Sequence, residues 1–172
     1  MRKVISICLS LALVFALATP VFAAETKTAG NEGNVVFFTN EDFLNAARSA
    51  YSAGLITEDD WNFVLTELSA RVGVKGENKI VTVDDETIDV YLNNVLWSTV
   101  VALGTGASAA IIAAIPGLNA IAAAVIAAAV GGASESLLSA ENGVIIRLRW
   151  VDISGGIGLP EYTYAVESIS EQ

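Results

Sequence analysis

The chain of 172 residues contains no histidine, and its one cysteine, Cys8, lies inside an N-terminal apolar run. Without imidazole or an available thiol there is no usual acid–base dyad, no thiolate nucleophile and no imidazole metal site. Charge is scarce at 16% of residues and lopsided, with 9 Lys+Arg against 19 Asp+Glu and a formal net charge of −10. So few cations leave no basic patch for the phosphates of a nucleic acid, and they disfavour adsorption to anionic lipid. Hydrophobic residues nevertheless make up 53%, far too many for a disordered chain. Globular folding is therefore expected, with a core built from segregated apolar stretches.

What is present begins with an address. Arg2 and Lys3 precede the apolar run Val4 to Leu17, and Val21-Phe22-Ala23 places a compact residue and a small one before a cut. Residues 1–23 read as a secretory signal peptide cleaved after Ala23, so the expected location is extracellular. Two basic residues and Cys8 leave with it, making the remainder more acidic, cysteine-free and unable to form disulfides. Residues 24–34 are polar and read as a flexible leader, and 35–172 as a single domain.

Within that domain Val35 to Phe38 is a short extended run. Asn40 to Ala53 spaces Phe43, Ala46, Ala47, Ala50 and Tyr51 as a helix, with Glu41 and Asp42 in its first turn. Thr57 caps the next helix, whose Trp61, Val64, Leu65, Leu68 and Val72 repeat at i, i+3, i+4. Residues 39–72 thus predict an amphipathic helical hairpin. Its Ala53-Gly54-Leu55-Ile56-Thr57-Glu58-Asp59-Asp60-Trp61 turn resembles that of short oligomerisation modules of the SHOCT type. The acidic trio Glu58 to Asp60 serves as a capping and dipole feature, since it lacks the alternating oxygens and glycine of a calcium loop. Lys79 to Val83 predicts a strand. Asp84 or Asp85 then caps a third helix with Ile88, Tyr91, Leu92, Val95 and Leu96 on one face.

From Val90 through Ser134 no charged residue occurs in 45 positions. Ser98 to Ile115 and Ala120 to Leu138 are helix-compatible and apolar nearly all round, separated by Pro116-Gly117-Leu118-Asn119, a turn followed by a cap. Residues 85–138 therefore predict an amphipathic helix running into an uncharged helical hairpin. At about 1.5 Å per residue its arms would be roughly 27 and 28 Å, near the ~30 Å of a hydrocarbon core. Small residues recur every fourth position at Ala120, Ala124, Ala128 and Gly132, with Gly131 in a second row, and Gly104 and Gly106 on the first arm. Such rows let helices approach closely in lipid or in an oligomer. Alanine drives insertion weakly and the flanks are acidic, which predicts conditional rather than constitutive insertion. The membrane or assembly residues assigned are Trp97, Gly104, Gly106, Pro116, Gly117, Ala120, Ala124, Ala128, Gly131 and Gly132.

Residues 143–169 predict a β-hairpin. Arg147 and Arg149 alternate with Ile146, Leu148 and Trp150, and Tyr162 to Ile169 supplies the second strand. The arginines are expected to pair with carboxylates on a solvated face; Trp150, Tyr162 and Tyr164 suit cross-strand packing or a lipid interface. From Trp97 onward, the Gly/Ala-rich hairpin followed by Asn142-Gly143-Val144-Ile145-Ile146 and an aromatic strand resembles small secreted Gram-positive bacteriocin-like proteins. The resemblance implies membrane activity, although those peptides are usually cationic and this chain is acidic.

Gly104-Thr105-Gly106 lacks the third glycine and the preceding strand of a dinucleotide fingerprint, and the carboxylates fall mostly at caps and polar faces. No catalytic, cofactor-binding or metal residue is assigned and no small-molecule substrate is identified. The expected fold is α+β: the two helical hairpins with a small antiparallel sheet. The expected function is non-enzymatic, with lipid or a second copy as partner. The alternative is a soluble extracellular binding or structural protein whose uncharged hairpin stays permanently in its core.

Overall fold

The computed structural model describes residues 34–70, 73–133, 137, 139–154 and 161–172. The signal segment 1–23 and the leader 24–34, Asn34 apart, lie outside the described residues, as do 134–136, 138 and the Gly-rich connection 155–160. The fold is mixed α+β, with four helices and a five-stranded antiparallel sheet among the described residues. Strands β1 (Val35–Phe37), β2 (Lys79–Thr82), β3 (Thr87–Leu92), β4 (Val144–Asp152) and β5 (Tyr162–Glu171) lie side by side in chain order. Helices α1 (Asn40–Ser52) and α2 (Glu58–Ala70) are inserted between β1 and β2, and α3 (Asn94–Ile112) and α4 (Ala120–Gly132) between β3 and β4.

Each helix starts where a side chain satisfies an otherwise orphaned amide. Thr39 and Asp42 form a reciprocal capping box on α1, and Thr57 and Asp60 exchange the same pair of bonds on α2. Asn93 Oδ1 accepts from Leu96 N at 2.8 Å and Asn119 Oδ1 from Ala122 N at 2.8 Å, opening α3 and α4. The first residue of α1 is joined to the cap of α3, because Asn40 Oδ1 accepts from both Asn78 Nδ2 and Asn93 Nδ2. Asn78 Oδ1 in turn accepts from Asn93 N at 2.7 Å, so the start of both helices is tied to the end of the segment entering β2. Asn78 and Asn93 are buried and Asn40 half-buried, and the three bond one another, which fixes local geometry.

The helices cover one face of the sheet. Alternate residues Ile80, Val90, Leu92, Val144, Ile146 and Leu148 point into a core shared with Phe43, Ala47, Val64, Leu96, Trp97, Ile111, Ile112 and Ile126. The opposite face carries Lys79, Asp89, Tyr91, Arg147 and Arg149, so the sheet reads apolar-in and polar-out as a one-sided antiparallel sheet should.

Four expectations are corrected here. Residues 87–92 are a strand, and α3 begins only at Asn94. This stretch satisfies two periods at once: Ile88, Tyr91, Leu92 at helical spacing and Ile88, Val90, Leu92 at strand spacing. The second prevails because β2 and β4 pair with it on both sides, and Asp89 then meets Arg147 instead of solvent. Asp84 caps no helix; its carboxylate accepts the Glu86 amide in the β2–β3 turn. The first uncharged arm is not one continuous helix, since Gly104 (φ 72°, ψ −176°) breaks α3 in its middle. The second arm stops at Gly132, followed by an extended Ala133 (φ −68°, ψ 142°), rather than at Leu138.

Candidate functional site

The uncharged segment folds into α3 and α4, which pack against one another more extensively than any other helix pair. One turn joins them, Ile115 to Leu118, closed by the Leu118 amide donating to Ile115 O at 3.2 Å. Gly117 sits at φ 91°, and a Cβ there would lie 3.1 Å from Ile80 Cδ1, so the turn rests against β1 and β2. Ile115 and Leu118 on either side of Pro116-Gly117 are buried. The tip is therefore anchored in the core, although Pro116 and Gly117 themselves face solvent.

α4 has seven alanines among its 13 residues, the rest being Ile, Val and Gly, yet its two faces differ. Ala122, Ala123, Ile126, Ala127 and Val130 are buried against α3 and the sheet. Ala120, Ile121, Ala124, Ala128, Gly131 and Gly132 are exposed. Ala120, Ala124, Ala128 and Gly132 form one outward ridge at four-residue spacing, and no charged side chain occurs on α4. On α3 the exposed residues are Ala102, Thr105 and Gly106, with Gly104 half-buried at the break. Nine of the ten assigned residues thus lie wholly or partly on the surface, and the small-residue row of α4 is brought together on one side. Trp97 is the exception. It is 1% exposed and its indole N–H donates to Leu137 O at 2.6 Å, so it is a core anchor of α3 and no part of a contact surface. A large side chain at the start of an apolar helix goes inward because its burial returns the most free energy.

By length and composition α3 could cross a membrane, but 44% of that window is buried within the protein. The break at Gly104 divides it, and α4, with 13 residues, is only about 20 Å long against a ~30 Å hydrocarbon layer.

A second feature occupies the polar face of the sheet. Arg147 grips Asp89 through two bonds of 2.7 Å, Nε to Oδ1 and Nη2 to Oδ2, with the Asp89 side chain 7% exposed. That carboxylate holds the guanidinium's pKa above its already high value. Arg149 reaches Glu86 at 3.5 Å. These pairs meet the expectation that both arginines neutralise carboxylates. Beside them is an open cleft of about 460 Å³ lined by Val83, Asp84, Asp85, Glu86, Thr87, Arg147, Arg149 and Glu167. Asp84 is held below the ordinary carboxylate range by the Glu86 amide and by Thr87. Among the described residues no three acidic side chains converge as a metal site would need. Trp150 packs edge-on to Tyr164 with centroids 4.6 Å apart and stacks on Tyr162 at 6.0 Å, the cross-strand alternative of the two considered for these aromatics. No protein-family model, curated protein or solved structure matches the chain.

Proposed function

We propose that this is a secreted, non-enzymatic protein that acts through its uncharged helix pair, by packing the outer face of α4 against a second apolar surface. The observation that carries the reading is the outward ridge Ala120, Ala124, Ala128 and Gly132, flanked by Gly131 and free of charge. Side chains this small let a partner helix approach until the backbones nearly touch. An acidic protein keeps such a face free of carboxylates only at a cost in solubility. Of the two partners, a second copy fits better than a bilayer. The brevity of α4, the break at Gly104 and the burial of Ile115 and Leu118 all disfavour spanning, whereas lateral packing needs none of these to change. Lipid contact of the bacteriocin-like kind would require the helix pair to leave the sheet, with acidification or a lipid surface as the trigger.

A soluble binding or structural role with the helix pair permanently in the core is the second reading. Trp97, Ile111, Ile112 and Ile126, all buried, favour it. Sedimentation equilibrium over a range of concentration, with vesicle leakage measured from neutral to acidic pH, separates the three. Self-association without leakage is expected. A strict monomer that neither associates nor partitions into lipid would overturn the proposal.

A further inference from the structure

The sheet ends on two unequal edges. β1 is three residues long, a length that itself discourages further pairing, whereas β5 runs for ten with no proline and no lysine or arginine. Its hydrogen-bond phase follows from two bonds. The Ile153 amide donates to Glu161 O at 2.7 Å, which makes that pair a hydrogen-bonded one in the β4–β5 ladder. The Trp150 amide points the other way, to Glu86 O at 2.7 Å, so Trp150 and Tyr164 are a non-hydrogen-bonded pair. Antiparallel ladders alternate between these two kinds. Tyr162, Tyr164 and Val166 therefore turn their backbone N–H and C=O groups away from β4, toward the free edge. No backbone partner for them occurs among the described residues. The regular run stops at Val166, where the register shift leaves Glu167 as an extra residue opposite Arg147 and Leu148.

We propose that the Tyr162–Val166 edge is a docking site for an extended, cationic peptide segment, which would add a sixth strand to the sheet. Three outward residues offer three donors and three acceptors to a strand laid beside them. Exposed carboxylates bracket the run, Glu161 before it and Glu167 after it, about 20 Å apart along the strand. These ends select lysine or arginine on the incoming strand. They also argue against a second copy: two β5 strands paired antiparallel about Tyr164 would set Glu161 against Glu167 at both ends, and like charges directly opposite are destabilising. The middle of the run, Tyr162 to Val166, is uncharged and suits β-branched side chains.

The test uses the full chain and a fluorescent peptide, Lys-Thr-Val-Thr-Val-Thr-Lys, whose lysines are spaced to face Glu161 and Glu167. Saturable one-to-one binding is expected, with slowed amide exchange at Tyr162, Tyr164 and Val166. The same peptide flanked by glutamates should bind about tenfold more weakly or not at all. N-methylation of the peptide backbone on the pairing edge should abolish binding, while methylation on the other edge should not. Binding that leaves those three amides unprotected, equal binding of both peptides, indifference to N-methylation, or a dimer already paired through β5 would each overturn the proposal.

Discussion

An aspartate placed on each face of α4 in turn gives a large, signed difference. Ala127 is 1% exposed and packs within the core, whereas Ala124, three residues earlier, faces solvent. In Ala127→Asp a carboxylate enters a position that is 1% exposed, a cost of about 4 kcal/mol after relaxation. That is a large part of the ~5–15 kcal/mol by which a domain of this size is stable. Ala124→Asp loses only helix propensity, about 0.6 kcal/mol. In urea unfolding followed by circular dichroism, the first should lower the midpoint by about 2 M and the second by about 0.3 M. The pH dependence has a definite sign. A buried aspartic acid is easier to hold neutral, so its folded-state pKa rises above the unfolded ~3.9. The penalty is then smallest below that value and grows as pH rises through the folded one. Acid should partly rescue Ala127→Asp and leave Ala124→Asp unmoved. Equal midpoints for the two variants, or a larger loss for Ala124→Asp, would refute the orientation assigned to α4.

Other consequences are independent of that helix. Gly143→Ala should be far worse than Gly54→Ala, although both glycines have positive φ. A Cβ at Gly143 would run into the Leu92 carbonyl oxygen, while one at Gly54 meets nothing within 4 Å. Thermal unfolding should show about 1–2 kcal/mol lost at Gly54 and clearly more at Gly143. Asn93→Ala removes the α3 cap and the side-chain link to Asn40, while its backbone amide still donates to Asn78, and should cost about 2 kcal/mol in the same measurement. The Asp84 carboxyl is held below its usual 3.8 mainly by the Glu86 amide, so its contribution is present above that value and lost as pH falls through the lower folded-state one. Asp84→Asn should therefore flatten the acid limb of a stability–pH profile. Tyr164 is raised above 10.0 by burial, so its stabilisation is intact below that pH and lost above it. Titration at 295 nm should find a tyrosine that ionises above the ordinary phenol value, and Tyr164→Phe should remove it.

Where local chemistry decided the structure, it could be read directly. The Thr57 and Asn119 caps, the Pro116-Gly117 turn and the alternation of Arg147 and Arg149 each depend on neighbours a few residues away. What escaped was decided by distant partners. Thr87–Leu92 fits a helix or a strand on its own, and only Lys79–Thr82 and Val144–Asp152 on either side settle it. Asp89 finds Arg147 58 residues away, a pairing no local pattern encodes. The break at Gly104 was hidden because glycine within an apolar run fits a close helix contact as well as a kink. On α4 the difficulty is chemical: alanine is tolerated equally inside and outside, so an uncharged helix that is more than half alanine carries little mark of which side faces the core.

The central claim is that the outer ridge of α4 joins copies of the chain, and sedimentation equilibrium of the wild type beside Ala124→Asp tests it most directly. Salt should strengthen wild-type association, because screening relieves repulsion between acidic molecules while leaving an uncharged contact intact. Ala124→Asp should remain folded and sediment as a monomer at every concentration and ionic strength. A wild type that is monomeric throughout, or an Ala124→Asp variant that associates as strongly as the wild type, would contradict the account.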